Sequence, residues 1–487
     1  MQGSVSMSST TSPASSSRWP SSSTVGLWLA PALAFVAARS TGGEAGLACG
    51  LFVFAGTLWL TEALHPAATA LATVALAPLV GACTAKEAFG ALGHPILFLF
   101  VGSFMLAEAM RVHGLGERLA GWLARRARRR TSALVATSFA AFALSMWVSN
   151  AAATAIVLPI ALGLGRGEGD DLRRFRAALV LGVAWAASMG GLCTPVGTPP
   201  NLIGIRALAA AGTPLSFAGW MAIGLPLGLA MWGAMVVVLM ARFGVHPRQP
   251  LPQAALPVDG GTPRPWGRGE KAATSAFAVA VVLWTAPGIL ELVGVEGVTA
   301  VKARLGEEVV AVLAAALLFV WPVHGPGEPP RRALSWEEAV RIDWGTVVLF
   351  GGGILLGDLA QKTGLARQWG EALLLASGAA TPWAVTALVT AVALLLSEVA
   401  SNTAAATLVI PLSVGLAQAA HVPVVLAVVG ATLGASFGFM MPISTAPNAM
   451  AYGTGQVTMR EMIRAGLLFD LLGYVVVVAG VLLLVGV

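Results

Sequence analysis

The sequence predicts an all-α polytopic membrane protein, with about 11 transmembrane helices plus two re-entrant helical hairpins in two inverted-topology repeats. Three observations lead to this prediction: the composition, a polar motif that occurs twice inside apolar segments, and the placement of arginine. Hydrophobic residues make up 57% of the 487-residue chain and charged residues 11%, against about 25% charged residues in soluble domains. A chain of this composition belongs in a lipid bilayer.

Apolar segments long enough to cross about 30 Å of hydrocarbon recur along the chain. They lie at 25–38, 46–62, 67–83, 94–110, 177–193, 217–241, 272–293, 307–324, 344–360, 422–438 and 463–486. Two further stretches, 132–164 and 381–413, carry polar residues at their centres. These two stretches are the candidate hairpins.

Two hydrophilic segments divide the chain. Residues 1–24 are rich in serine, so we expect a disordered tail. Residues 244–270 are rich in proline and glycine and predict a cytoplasmic linker. The linker separates a first inverted repeat, 25–243, from a second, 271–487.

A polar motif appears once in each predicted repeat. Ser149–Ile160 reads SNAAATAIVLPI and Ser401–Leu412 reads SNTAAATLVIPL, 252 residues later (401 − 149). Each copy is followed by a second signature, TPVGTPPN at Thr194–Asn201 and MPISTAPN at Met441–Asn448. Matching polar interruptions in two halves are typical of secondary transporters, which build a midplane site from broken helices. We therefore expect broken helices at 177–206 and 422–453.

Arginine placement predicts the topology. Arg125, Arg126 and Arg128–Arg130 precede the first hairpin, and Arg173, Arg174 and Arg176 follow it, so the positive-inside rule puts both of its ends in the cytoplasm. The flanks of the second hairpin carry no lysine or arginine, so its ends should lie outside. The repeats are therefore inverted, with the N-terminus cytoplasmic and the C-terminus outside.

The hairpin tips and the breaks predict an ion-binding site. Helices that begin after each Ser-Asn pair, and at Pro199 and Pro447, direct free N–H groups and positive dipole ends toward the breaks, which suits an anion. Hydroxyl and carbonyl oxygens around the breaks suit a hard monovalent cation. We expect paired sodium sites flanking the anion, with these oxygen donors: Ser145, Ser149, Asn150 and the backbone at Gly197 in one half, and Ser397, Ala400, Asn402 and the backbone at Ser444 in the other.

These motifs resemble the divalent anion to sodium symporter family, the di- and tricarboxylate and sulfate transporters. The resemblance rests on SNT at Ser401–Thr403 within SEVASNT, on TPVGTPPN, on FLFVGSFMLAEAM at Phe98–Met110 and on TGL at Thr363–Leu365. It covers the chain after about residue 25.

The resemblance implies sodium-coupled uptake of dicarboxylates, most simply C4 acids such as succinate, malate or fumarate. It further implies a homodimer in the cell inner membrane, in which a mobile transport domain moves against a scaffold domain by an elevator-type mechanism. Carried over by position, the substrate contacts are Asn150, Ala151, Asn402, Thr403 and Thr445, with Pro199 and Ala446 at the starts of the following helices.

Two positions depart from the family pattern. The first tip has Ala151 where the family usually has threonine, which removes a hydroxyl from one carboxylate site, and Ala446 stands where a first proline is common. The asymmetric site favours a smaller or differently charged anion. The same fold acting as a proton-coupled carrier, an anion exchanger, a sulfate transporter or an arsenite-type pump subunit therefore stays open, although the lack of cysteines near the tips disfavours the arsenite pump.

Other classes have less support. The six histidines show no metal-ligand spacing and no nucleophile motif occurs, so neither an enzyme nor a cofactor other than the coupling Na⁺ is expected. The net charge of +6 fits arginine in cytoplasmic loops and contact with membrane lipids, and no nucleic-acid partner is expected. Two roles stay open for Glu398, a structural hydrogen bond at the hairpin tip and proton coupling. Two also stay open for Arg206, a charge at the membrane boundary and a compensating charge that replaces a cation. No partner can be named from sequence for Glu108, Asp358 or Asp470.

Overall fold

The computed structural model describes residues 22–252, 265–292, 295, 304–324 and 329–485, and in these ranges the fold is helical, with two isolated β-bridges in the connections. Most of the predicted tail (1–21) and part of the predicted linker (253–264) lie outside the described residues. The helices before the linker are α1 (Ser22–Thr41), α2 (Gly43–Leu60), α3 (Pro66–Leu79), α4 (Ala85–Gly90), α5 (Pro95–Val112), α6 (Leu115–Ala124), α7 (Arg130–Ser145), α8 (Asn150–Leu164), α9 (Asp170–Leu192), α10 (Pro199–Ala210) and α11 (Phe217–Phe243).

The remaining helices follow the linker. They are α12 (Arg268–Leu292), α13 (Glu307–Val320), α14 (Trp336–Ala339), α15 (Trp344–Lys362), α16 (Leu365–Ser377), α17 (Pro382–Val399), α18 (Asn402–Ala419), α19 (Val424–Gly434), α20 (Ala446–Gly453) and α21 (Met459–Val485). A short 3₁₀ turn, Ala91–Gly93, joins α4 to α5.

Each predicted apolar segment falls on a helix, although the boundaries differ. Among the described residues, nine helices are long and apolar enough to cross a bilayer, which supports a multi-pass membrane protein. The number of true spans stays a prediction. Helix α1 begins at Ser22, inside the predicted tail, and α12 begins at Arg268, inside the predicted linker.

The structure adds one amphipathic helix to each half that hydropathy did not reveal. Helix α6 starts after Gly114 and α16 starts after Gly364, and both glycines adopt the left-handed conformation, with φ of 71° and 72°. Glycine tolerates this φ because it has no Cβ. The two matching turns are a further sign that the halves are related.

The candidate hairpins are pairs of packed helices, α7 with α8 and α17 with α18. Their tips lie at 146–149 and 400–401. Each following broken helix is interrupted at its signature, between α9 and α10 and between α19 and α20. The predicted interruptions are therefore present, whereas re-entry into the bilayer stays a prediction.

The core brings the two halves together. The first arm of each hairpin packs along the first part of the broken helix, α7 on α9 and α17 on α19. These approaches are close: a Cβ added at Gly190 would lie 2.0 Å from the Phe142 carbonyl oxygen, and one at Gly434 would lie 2.6 Å from that of Thr390. The second parts cross over, so that α10 packs on α18 and α19, and α20 packs on α8 and α9. This crossing packs the second part of each broken helix against the hairpin of the other half.

Candidate functional site

Each hairpin turns at a serine that caps the helix after it. Ser149 accepts a hydrogen bond from the Ala152 amide at 3.3 Å, and Ser401 accepts one from the Ala404 amide at 3.3 Å. Serine is suited to this position because its hydroxyl satisfies one of the free amides of the first turn. The other free amides, together with the positive end of the helix dipole, face the tip.

A serine–asparagine hydrogen bond recurs at both tips. Ser145 donates to Asn150 Oδ1 at 2.7 Å, and Ser397 donates to Asn402 Oδ1 at 2.8 Å, so each bond spans five residues. Ser397 Oγ also lies 2.8 Å from the carbonyl oxygen of Ala435. One hydroxyl proton cannot satisfy two acceptors, so oxygen lone pairs are in excess here. Hard cations favour such surroundings.

A second pair of asparagines closes the two breaks. Asn201 Nδ2 donates to the carbonyl oxygens of Gly191 and Thr194, at 2.8 and 2.7 Å. Asn448 Nδ2 donates to the carbonyl oxygens of Gly438 and Met441, at 2.7 and 3.1 Å. In both halves the acceptors therefore lie ten and seven residues before the asparagine.

Asn201 and Asn448 were missed as site residues in the sequence. The signal was present, since both signatures end in Pro-Asn. Single polar residues after a proline are common helix starts, however, and only the repeated bonding pattern distinguishes these two from ordinary first-turn residues.

Within each half, the tip and the break form one cluster. A Cβ added at Gly191 would lie 2.5 Å from Asn150 Oδ1, so the break backbone touches the first tip directly. A Cβ at Gly438 would lie 3.0 Å from the Ser397 carbonyl oxygen and 3.2 Å from Ser444 Oγ. Glycine is required at both places because any side chain would separate tip from break.

The structure brings several of the predicted sodium ligands into these clusters. In the first half, Ser145 and Asn150 meet the break. Gly197 packs against Gly191, so closely that a Cβ added at Gly197 would lie 2.6 Å from the Gly191 carbonyl oxygen. Ser149 is exposed at the tip and its hydroxyl is used by the cap. In the second half, Ser397, Ala400 and Ser444 are buried, and Asn402 is partly buried. Their role as ligands stays a prediction.

The predicted substrate contacts line the first turns of the helices. Ala151 and Thr403 are the second residues of α8 and α18, and both are partly exposed. Thr445 caps α20 by accepting from the Asn448 amide at 3.2 Å, Ala446 opens that helix, and Pro199 opens α10. No hydrogen bond joins the two tips directly within the described ranges. They are connected through the crossing helices α10 and α20.

Glu398 has backbone partners that the sequence did not reveal, and a second buried acid lies beside it. Glu398 accepts from the amides of Phe439 and Met440, at 2.8 and 3.1 Å, so it holds the backbone of the second break. The carboxyl of Asp470 on α21 lies against Glu398 and is buried. Glu398 thus makes a structural bond to the backbone of the break and not at the hairpin tip as predicted, and its role in proton coupling stays a prediction.

Two further acids occupy corresponding places, 250 residues apart (358 − 108). Glu108 on α5 pairs with Arg111 at 2.7 Å, and Asp358 on α15 pairs with Arg206 on α10 at 2.7 Å. Arg206 thus has an acidic partner in the other half of the chain. Its roles as a boundary charge or as a charge that replaces a cation stay predictions.

Each of these acids lines a cavity. A cavity of about 260 Å³ lies beside the first tip, between Glu108 of α5 and Ser149, Ala152 and Ile156 of α8. A smaller one of about 50 Å³ is lined by Asp358 and Arg206, together with the Thr407, Ile410 and Val414 side of α18. The first cavity reaches the tip serine, and the second lies further along its hairpin arm.

Known proteins resemble this chain over nearly its whole length. The sequence profile described as "Citrate transporter" matches residues 57–434 and again 298–487. The sodium-dependent dicarboxylate transporter SdcS of Staphylococcus saprophyticus is 32% identical over 458 residues, which is 90% of this chain and 86% of that protein. SdcS of Staphylococcus aureus is 32% identical over 451 residues, 88% of this chain and 85% of that protein.

The fold also matches a solved transporter. The crystal structure of the YdaH transporter of Alcanivorax borkumensis aligns with a TM-score of 0.57, at 15% identity, over 96% of this chain and 99% of that one. At this identity the match concerns the fold alone. The sequence matches identify the chain as a multi-pass membrane transporter and not an enzyme. The chain belongs to the divalent anion:sodium symporter family.

Proposed function

We propose that the chain imports divalent anions, most simply C4-dicarboxylates such as succinate, malate or fumarate, and couples this import to sodium. The observation that carries the proposal is the duplicated cluster: a Ser–Asn bond at each tip and an asparagine closure at each break. The relatives named sodium-dependent dicarboxylate transporters support the same substrate and ion.

The anion would bind where helix N-termini converge. Helices α8, α18, α10 and α20 all begin at the central clusters, so their free amides and positive dipole ends can hold two carboxylates without an arginine. The side chains in reach are the amides of Asn150 and Asn402 and the hydroxyls of Thr403 and Thr445. The first tip contributes the methyl of Ala151 in place of a second threonine.

Sodium would bind beside the anion in the oxygen-rich cluster of each half. The hydroxyl and amide oxygens of Ser145 and Asn150, and of Ser397 and Asn402, supply neutral donors, with backbone carbonyl oxygens completing each site. Neutral oxygen donors suit a monovalent cation. Each cation would lie beside the N-terminus of the helix that holds the anion. Binding of the cation would therefore favour binding of the anion, and the reverse.

The cavities beside the two hairpins lie at different distances from the tips, which supports alternating access by an elevator-type movement. The α5 cavity meets α8 at Ser149–Ile156, whereas the α15 cavity meets α18 at Thr407–Val414. After allowing for the 252-residue offset, the second contact lies about six residues, or about 9 Å of helix, further from its tip. If the two cavities exchanged their distances from the tips, the hairpins and broken helices would move past α5 and α15 by about 9 Å. This movement would open the site to the opposite side of the membrane.

The setting follows from the same proposal. The chain would sit in the inner (plasma) membrane with its N-terminus cytoplasmic and its C-terminus outside, and the two halves would be inverted. A homodimer would hold the flanking helices still while the central clusters move.

Counter-ion dependence of uptake tests the function. Purified protein in proteoliposomes, with the membrane potential clamped by potassium and valinomycin, would take up labelled succinate under an inward sodium gradient and not with choline. Uptake that follows a pH gradient without sodium would identify a proton-coupled carrier, and uptake that requires internal dicarboxylate would identify an exchanger. Sulfate that is transported while succinate is not would correct the substrate.

A further inference from the structure

The side chains of Asn201 and Asn448 are fully buried and are bonded in the same unusual way. Each Nδ2 donates both of its hydrogens to carbonyl oxygens at the preceding break. Because two carbonyl oxygens face Nδ2, rotating the amide by 180° would bring oxygen against oxygen. The orientation of both side chains is therefore fixed by their surroundings.

The fixed orientation leaves both Oδ1 atoms buried without a hydrogen-bond partner in the described structure. Buried polar atoms in folded proteins nearly always have a partner, so two orphaned oxygens at equivalent places require an explanation. A chance packing defect does not explain a pattern that occurs in both halves.

The surroundings of both amides are rich in oxygen. Asn448 Nδ2 also lies 3.1 Å from Ser444 Oγ, whose hydroxyl in turn is 2.7 Å from the Gly438 carbonyl oxygen. Asn201 is bonded to Gly191, which touches Asn150 Oδ1. In the described structure no donor group, ammonium and guanidinium included, lies within hydrogen-bond distance of either Oδ1.

We propose that Asn201 and Asn448 each use Oδ1 as a ligand for a coupling cation, one in each half. This assignment rests on the proposed sodium coupling and extends each cation site from the hairpin tip to the helix after the break. A cation bound by both would fix the start of α10 or α20 against the tip. The amides that face the anion would then be ordered only after the cation binds, which gives a physical route for coupling.

The competing interpretation is that the asparagines only clamp the break, with Oδ1 bonded to a buried water. Alanine and aspartate variants distinguish the two. Alanine removes both the clamp and the oxygen. Aspartate also loses the clamp but keeps an oxygen at this place, now with a negative charge that attracts sodium.

The experiment measures sodium binding to the purified full chain without substrate. The readouts are sodium-dependent thermal stabilisation in detergent and equilibrium binding of labelled sodium, both measured from about pH 7.5 to about pH 9.5, because burial raises the pKa of a carboxyl. Asn201→Ala and Asn448→Ala should each raise the half-saturating sodium concentration by about tenfold or more, as expected for the loss of one ligand to a charge. The aspartate variants should bind sodium more tightly than the matching alanine variants.

A matched control is Thr69→Val on α3, which removes another fully buried, unpartnered oxygen, remote from the breaks. This control should leave sodium binding unchanged. If the parent binds sodium but the aspartate variants bind it no better than the alanine variants, or the alanine variants bind it as the parent does, the ligand assignment fails while sodium coupling stands. If the parent itself shows no sodium-dependent stabilisation and binds no labelled sodium, both proposals fail.

Discussion

Restoring the missing hydroxyl at the first tip should strengthen dicarboxylate binding. Ala151 and Thr403 occupy the second position of α8 and α18, and Ala151 is partly exposed, so threonine can be accommodated. Within the described structure, the Thr403 hydroxyl makes no hydrogen bond and is free to donate to a ligand. A hydroxyl that meets a carboxylate contributes about 1.5 to 3 kcal/mol, or about one to two decades in affinity.

The assay is direct binding of labelled succinate at saturating sodium. Ala151→Thr should bind succinate about ten- to hundredfold more tightly, with little change for monovalent anions. Thr403→Ala should weaken binding by a similar factor, and the double variant should return toward the parent. Ala151→Val is the matched control, because valine has the shape of threonine without its hydroxyl.

The reasoning fails if the threonine and valine variants bind succinate alike and Thr403→Ala has no effect. In that case the first turns of the hairpin helices do not hold the anion, and the substrate contacts carried over from the family to these positions are wrong.

Three further predictions concern movement, topology and packing. Neutralising Arg206, whose ion pair with Asp358 on α15 is partly exposed, should shift the balance of transport states only about two- to fivefold, since exposed pairs contribute less than about 1 kcal/mol. Initial transport rates measured with both gradient directions report the shift. Rates equal to those of the parent would argue against a moving interface at this ion pair. Cysteine at Glu168 should react with an impermeant reagent only from the cytoplasm and cysteine at Gln418 only from outside; labelling of both from one side would contradict inversion. Gly190→Ala should lower the melting temperature, since its Cβ would lie 2.0 Å from a backbone oxygen and overpacking costs about 1–3 kcal/mol. The control Gly163→Ala, whose Cβ would meet nothing within 4 Å, should leave the melting temperature unchanged. Equal melting temperatures of the two variants would refute the close packing of α7 on α9.

The helical membrane fold could be predicted because bilayer solvent constrains composition and length strongly. Each apolar segment became a helix, and Ser149 and Ser401 became caps as the preference for serine at helix starts predicts. The amphipathic helices α6 and α16 were missed because each carries charged residues and is too short to span a bilayer. Their common left-handed glycine was visible only as a Gly-Leu pair in the sequence.

The partners inside the site could not be predicted, because they join residues distant in sequence. Glu398 was recognised as an intramembrane acid, yet its bonds to Phe439 and Met440 depend on how α17 packs against the second break. Arg206 and Asp358 are 152 residues apart in the chain and meet only because α10 crosses to the other half. Crossing of this kind arises from tertiary packing, for which neither hydropathy nor local propensity carries a signal.

Reciprocal binding of sodium and dicarboxylate tests the central claim most directly. If both bind at the duplicated tip-and-break clusters, sodium should tighten succinate binding to the purified protein, and succinate should tighten sodium binding by the same factor, as linkage requires. Titrations of each ligand at fixed concentrations of the other measure both factors. Succinate affinity that does not change between sodium and choline would contradict the account.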